Sequence, residues 1–146
     1  MSRACGALID RLPDSPALLH RPASEWLPEP AGLDRRYLIP TLREIDLGFA
    51  GRKMAGERIH ARIAALKVGD ILQFSADQRG YALLTQDGIT IGRLAQNFKS
   101  PTDLRCISAR VHAIVVWRKR DSSSDYVERC KCNRWEVVVP ELVFAP

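Results

Sequence analysis

Long apolar runs are missing from this chain. No stretch approaches the ~20 uninterrupted apolar residues that a membrane-spanning helix requires, although 46% of the residues are hydrophobic. The N-terminus, M-S-R-A-C-G-A-L-I-D, has no long apolar core and reaches Asp10 too early for a signal peptide. We therefore expect a cytoplasmic protein that does not contact a membrane.

Nucleotide-binding motifs are also missing. The sequence contains neither G-x-x-x-x-G-K-S/T nor a D-E-x-H box. Gly51 and Gly56 have the right interval for a phosphate loop, but Glu57 and Arg58 stand where Lys and Ser or Thr must follow. We predict a glycine-rich turn with a basic pair instead. The chain by itself therefore cannot be an ATP-driven motor.

Cysteine and histidine are too few and too scattered to indicate chemistry. Of the four cysteines, Cys130 and Cys132 stand close together, but structural zinc sites usually space their ligands C-x2-4-C, and the chain has no second pair. Without a secretory signal, disulfides are not expected either. The three histidines fall in three different predicted elements, without a matching Ser or Cys motif. We predict no catalytic residue, no metal and no cofactor.

Positive charge is present in excess, mainly in the second half of the chain. The net charge is +5, and from residue 89 to the end ten Lys and Arg stand against six Asp and Glu. A surplus of this kind favours polyanions as partners. At 146 residues the chain has the length of one ordinary globular domain with a real core.

The first 40 residues differ from the rest. Residues 2–12 have the spacing of a short amphipathic helix that Pro13 stops, and six of the nine prolines lie between residues 13 and 40. We predict an N-terminal helix and Pro-rich arm over 1–40, anchored by Trp26. Residues 41–146 then form the main domain. It begins with a capping box at 41–44 and an amphipathic helix over 56–66.

After residue 68 the hydrophobic pattern changes to period two, which is typical of strands. Segments 70–75, 81–86 and 89–93 predict a three-stranded meander, with Asp87-Gly88 in a type I′ turn. The longest strand is predicted over 105–120. Its apolar face is Ile107, Ala109, Val111, Ala113, Val115 and Trp117, and its opposite face carries Ser108, Arg110, His112 and Arg118.

These elements predict an α+β fold: a small, mostly antiparallel β-barrel or sandwich of about five strands, preceded by short helices and the Pro-rich arm. The basic face of the long strand and the loop after it, R-K-R-D-S-S-S-D, suit phosphate groups. The predicted contacts to a nucleic-acid backbone are Arg93, Lys99, Arg110, Arg118, Lys119 and Arg120. Tyr81 or Trp117 would stack on bases if exposed.

Three runs carry a family resemblance: 88–95 (G-I-T-I-G-R-L-A), 113–122 (A-I-V-V-W-R-K-R-D-S) and 135–144 (W-E-V-V-V-P-E-L-V-F), together with 56–62. They resemble a C-terminal accessory segment of large proteobacterial RecQ-family helicase-type proteins, from about residue 38 to the end. The hairpin 87–92, D-G-I-T-I-G, is also similar to HIRAN modules, which are small β-barrels on helicase-like proteins.

The resemblance implies a part that accompanies DNA unwinding and repair machinery, either a detached fragment or a stand-alone relative acting with a helicase. Two functions follow as expectations. The first is a non-catalytic module that binds DNA, single-stranded or at junctions, through its basic β face. The alternative is a protein-docking or structural domain, part of a larger helicase, that makes no direct nucleic-acid contact.

Overall fold

The computed structural model describes residues 34–146, so the predicted helix at 2–12, Trp26 and most of the Pro-rich arm lie outside the described residues. The described chain forms one antiparallel sheet of six strands in the order β1-β6-β5-β2-β3-β4. The α+β class and the antiparallel pairing are confirmed. The elements are β1 Arg36–Leu38, α1 Arg58–Ala64, β2 Ile71–Asp77, β3 Gly80–Leu84, β4 Thr90–Arg93, β5 Arg105–Arg118, α2 Ser124–Val127 and β6 Arg134–Ala145.

The long strand predicted from the sequence is β5, and it pairs along its whole length with β6. Its alternation is broken twice, because the register with β6 shifts at Ile107 and again at His112. Each such bulge adds one unpaired residue and turns the following side chains to the other face. The predicted faces are therefore wrong in part: Ile107 is 44% exposed, whereas Ala109 and Val111 are buried as expected.

The centre of β6 is buried on both faces, since four consecutive residues from Val137 to Pro140 are all buried. A proline inside a strand removes a donor. Pro140 is tolerated because the backbone groups of its partner Val111 bond to residues outside β6. Val111 O accepts from Gly69 N at 2.8 Å, and Val111 N donates to Asp70 O at 2.9 Å. On the opposite side β1 pairs only with residues 142–144.

The predicted meander is confirmed as β2, β3 and β4. Its turn differs from the prediction, because a type I′ turn needs positive φ at both central residues and only Gly88 has it (φ +86°). The loop is instead held by Thr85, whose backbone N–H donates to Ile89 O at 2.9 Å and whose hydroxyl accepts from Ile89 N at 3.1 Å.

The helical predictions are confirmed in outline. Ile59 and Ile63 on α1 are buried in the main core. At the predicted capping box the Glu44 carboxylate accepts a bond from the Thr41 backbone N–H at 2.9 Å. The turn that follows is a single 3-10 turn over Leu42–Glu44. No helix of the described residues is long and apolar enough to cross a membrane.

Within residues 34–146 the sheet is not closed into a barrel by strand pairing, since β1 and β4 remain its edges. The chain after β1 nevertheless returns to the end of β4. Asp46 N donates to Arg93 O at 2.9 Å, and Ala95 N donates to Glu44 O at 2.8 Å. These bonds place the 42–53 segment beside the end of β4, where the candidate site lies.

Candidate functional site

Trp135 on β6 holds the segment that forms one wall of the site. Its side chain is buried, and the indole Nε1–H donates to Leu47 O at 2.7 Å. Gly51 lies directly on this ring, so that a Cβ added there would be 2.5 Å from Trp135 Cε2. Only glycine allows this close approach of the backbone. The sequence predicted only a glycine-rich turn with a basic pair at this position, and the structure shows that Gly51 in it is required for packing on Trp135.

The same turn is fixed from its other side by the segment that precedes β6. Gly51 O accepts backbone bonds from Lys131 N at 2.7 Å and Cys132 N at 3.3 Å. The turn Ala50–Arg52 thus has one face on Trp135 and its carbonyl bonded to residues 131–132. Arg52 on this turn and Lys53 directly after it are therefore attached to backbone that is packed on one side and hydrogen-bonded on the other.

The segment held by Trp135 borders a groove of about 940 Å³. Its walls come from the 42–53 segment, the β2–β3 hairpin at 78–79, the end of β4, the end of β5, and residues 121–130. Two acidic side chains line it, Asp46 and Asp121, against six basic ones: Arg43, Arg52, Lys53, Arg79, Arg93 and Arg129. We call this set the groove cations.

Two of the groove cations are neutralised within the molecule. Arg52 forms an ion pair with Asp46 (Nη2 to Oδ2, 2.6 Å). Arg93 makes two bonds to the Asp77 carboxylate, at 3.0 and 2.6 Å. Among residues 34–146, no ion pair involves Arg43, Lys53, Arg79 or Arg129. Four positive charges therefore remain available to an anion in the groove.

The Arg93–Asp77 pair also changes the pKa of the aspartate. The hydrogen bond from Arg93 lowers the pKa of Asp77 below its ordinary value of 3.8, with a smaller contribution from the backbone N–H of Arg79. Asp77 thus stays ionised at every pH at which the fold is expected to work. Arg93 is only 14% exposed while Asp77 is 48% exposed, so the pair lies at the edge of the groove.

Three aromatic side chains, Phe49, Trp117 and Tyr126, line the groove beside the cations. Lys53 Nζ lies 5.5 Å from the centroid of the Phe49 ring, and the Arg129 guanidinium lies 5.7 Å from that of Tyr126. Both distances are within the range of cation–π attraction. Charge and aromatic surface are therefore interleaved, as in proteins that bind single-stranded nucleic acid.

The six residues predicted to contact a nucleic-acid backbone do not line one groove together. Of the six, only Arg93 lines the groove. Arg110 lies on a second, smaller groove of about 490 Å³, and its Nη1 donates to Gly69 O at 3.1 Å. Lys99, Arg118, Lys119 and Arg120 line neither groove. Asp121, Ser122 and Ser123 from the predicted phosphate-binding loop do line the larger one. Of the predicted stacking residues, Trp117 lines it and Tyr81 stacks on Phe74 instead.

Five of the groove cations were not predicted from the sequence: Arg43, Arg52, Lys53, Arg79 and Arg129. They come from three separate parts of the chain, the 42–53 segment, the β2–β3 hairpin and the residues after α2, so no local pattern connects them all. One signal was present in the sequence, the basic pair Arg52-Lys53 between two glycines. Without the fold, however, the surface on which these two side chains lie could not be predicted.

Cys132 and His60 lie close together beside the groove. Cys132 Sγ and His60 Nε2 lie 3.2 and 3.1 Å from the same carbonyl oxygen, Lys53 O, and 3.7 Å from each other. No cysteine partner for a histidine was predicted from the sequence, because the two residues are 72 positions apart. Burial raises the pKa of Cys132, which keeps it a thiol. The described residues hold no cluster of three or more metal-ligating side chains.

No protein-family model, curated protein or solved structure matches this chain.

Proposed function

We propose that the protein is a non-catalytic nucleic-acid-binding module that holds the sugar-phosphate backbone, most readily that of DNA, in the groove. The observation that carries the proposal is the convergence of the groove cations from separate elements onto one cavity. Polyphosphate backbones are the common cellular ligands that offer regularly spaced negative charge to such a set.

The charge balance of the groove supports this ligand. Arg43, Lys53, Arg79 and Arg129 have no ion-pair partner among the described residues. Arginine donates several hydrogen bonds in a fixed geometry that matches phosphate. The hydroxyls of Ser122 and Ser123 add neutral donors on the same wall.

The groove also depends on the curl of the sheet. The bonds between residues 44–46 and 93–95 bring the segment after β1 against the end of β4. We therefore propose that the sheet forms an incompletely closed barrel, and that the gap in this barrel is the binding groove. We also propose a cytoplasmic location, which is inferred from the sequence alone.

The test is the binding of the full chain to a fluorescent oligonucleotide over a range of salt concentrations. Affinity should fall linearly on a log–log plot, because each neutralised phosphate releases counterion. The double variant Arg79→Glu/Arg129→Glu should weaken binding by more than about tenfold. It should also reduce the slope by roughly 0.7 for each single-strand phosphate contact that is lost.

The matched control is Arg58→Glu/Arg105→Glu, which changes the net charge equally at two exposed positions outside the groove. It should leave most of the affinity and the slope intact. If the control variant lost as much affinity as the groove variant, the groove would have no special role and the proposal would fail.

A second candidate is the protein-docking domain. It is favoured by β1, a three-residue edge strand at which Tyr37 is 65% exposed and the following Ile39 is 45% exposed. Edge strands with apolar side chains are sites where another chain can add. A RecQ-like helicase as that partner rests on the sequence resemblance alone. Capture of such a helicase by the wild type, but not by Tyr37→Lys/Ile39→Lys, would support this candidate.

A further inference from the structure

The groove contains aromatic surface that phosphate binding does not use. Trp117 is the clearest case. It lies directly opposite Trp135 in the β5–β6 register, so both indoles are on the same face of the sheet. Trp135 is buried beneath the 47–51 segment, whereas Trp117 packs against the core and also lines the groove.

This arrangement gives Trp117 a fixed position. Its neighbour Trp135 is anchored by the bond to Leu47 O at 2.7 Å, and β5 is paired with β6 at this point. A ring held by packing on one side loses little conformational freedom when a ligand contacts its other side.

Tyr126 is the second aromatic side chain that phosphate binding does not use, and it differs from Trp117 in being exposed. It stands on the four-residue helix α2 and is 55% exposed, so core packing does not account for a large aromatic residue at this position. It lines the same groove, and Arg129 lies over its ring at 5.7 Å from the centroid. A cation beside an aromatic ring is the arrangement that joins a phosphate contact to a base contact.

We propose that Trp117 and Tyr126 are base-stacking platforms, which makes unpaired nucleotides the ligand of the groove. This inference rests on the proposed nucleic-acid function and deepens it. In a duplex the base faces are covered by their neighbours, whereas a single strand can turn each base onto an aromatic ring. The protein therefore binds single strands in preference to duplexes of equal length.

The experiment compares three probes on the full chain at one salt concentration: an oligothymidylate of about ten nucleotides, within the usual site size of such proteins, an abasic strand with the same number of phosphates, and a duplex of the same length. Wild type should bind the oligothymidylate about five- to a hundredfold more tightly than the abasic strand, the range that stacking gives elsewhere.

The variants assign the effect to the rings. Tyr126→Ala and Trp117→Leu should each lower the affinity for the oligothymidylate by a larger factor than the affinity for the abasic strand, and so remove part of the preference. Tyr126→Phe keeps the ring and should bind as wild type does. Tyr126 is exposed, so its variants remain informative even if Trp117→Leu proves unstable.

Two results would overturn the stacking role. Equal affinity for the oligothymidylate and the abasic strand, with binding still dependent on salt and on Arg79 and Arg129, would leave a phosphate-binding groove without base stacking. Absence of binding to all three probes would remove the nucleic-acid function as well.

Discussion

The molecule presents two groups of cations, those along β5 and those of the groove, and they differ in how the charges are placed. Arg110 and Arg118 of β5 do not share a face, because the bulge at His112 lies between them. On β5, Arg110 and Arg118 are eight residues apart, which corresponds to roughly 25 Å along a strand. That distance exceeds the screening length of about 8–10 Å at physiological salt. In the groove, side chains from five separate segments border one cavity. Alternation along a strand thus predicts a charged face at most, whereas a binding site requires charges from several segments that converge on one cavity.

The largest effect that separates the two groups of cations should come from the contact between Gly51 and Trp135, which holds one wall of the groove. Gly51→Ala would place a Cβ at 2.5 Å from the Trp135 ring, which cannot move because it is buried and bonded to Leu47. We expect a loss of about 1–3 kcal/mol in the free energy of unfolding, near the upper end of this range for overpacking. The midpoint of urea denaturation measures it.

Gly56→Ala is the control, because no atom lies within 4 Å of a Cβ at that position. Its stability should change little. Should the two variants prove equally stable, the contact between the turn and Trp135 would not define the groove.

A chemical footprint should give the next largest effect. Cys130 lines the groove and Cys106 on β5 does not. With an oligonucleotide at ten times its Kd, about one protein in eleven is unbound, so alkylation of Cys130 should slow about tenfold. Mass spectrometry after iodoacetamide treatment resolves the two sites.

Cys106 serves as the internal reference for this footprint. Burial raises the pKa of Cys106, so it should react slowly, and its rate should not depend on the ligand. Protection of Cys106 without protection of Cys130 would move the binding surface to β5.

A smaller effect is expected from β5 itself. Arg110→Glu/Arg118→Glu reverses two of the predicted contact residues, both exposed. Because these charges lie outside the groove, screening should limit the loss in oligonucleotide affinity to about threefold or less. A loss as large as that of Arg79→Glu/Arg129→Glu would restore the basic strand as the binding surface.

The sequence predicted local elements well because their causes are local. The period-two run at 105–120 is β5, the apolar spacing over 56–66 contains α1, and Thr41 and Glu44 form the expected hydrogen bond. The sequence-based prediction failed where contacts between distant parts of the chain determine the local structure. The bulge at His112 lies opposite Pro140, 28 residues later in the chain, and neither residue alone indicates the other.

The candidate site was less predictable than the fold for the same reason. Arg93 was among the predicted contacts, but Arg79 and Arg129 stand on a hairpin tip and after a short helix, where a solvated charge is the ordinary interpretation. Their common cavity exists only once β5 and β6 are paired and Trp135 has fixed the turn at Gly51.

The smallest effects should come from Asp77, the acid that holds Arg93. Its pKa is lowered in the folded protein, so the pair contributes stability above pH 3.8, and this contribution is lost as the pH falls from there through the lowered pKa. Thermal unfolding from pH 6 to pH 3 should therefore show the advantage of wild type over Asp77→Asn shrinking at the acidic end. An advantage that grew on acidification would contradict the pairing.

The same variant also tests whether Arg93 belongs to the groove or only to its edge. Asp77→Asn removes a negative charge and releases a guanidinium that is otherwise bound by two hydrogen bonds. If Arg93 then reaches the ligand, oligonucleotide affinity should rise by about two- to threefold, and the salt slope should increase by up to roughly 0.7, the value of one added phosphate contact. Asp103→Asn, an equal charge change at an exposed loop position outside the groove, should leave the slope unchanged. Equal slopes for both variants would show that Arg93 is a structural partner of Asp77, and that the binding charge is confined to the groove cations that have no acid beside them.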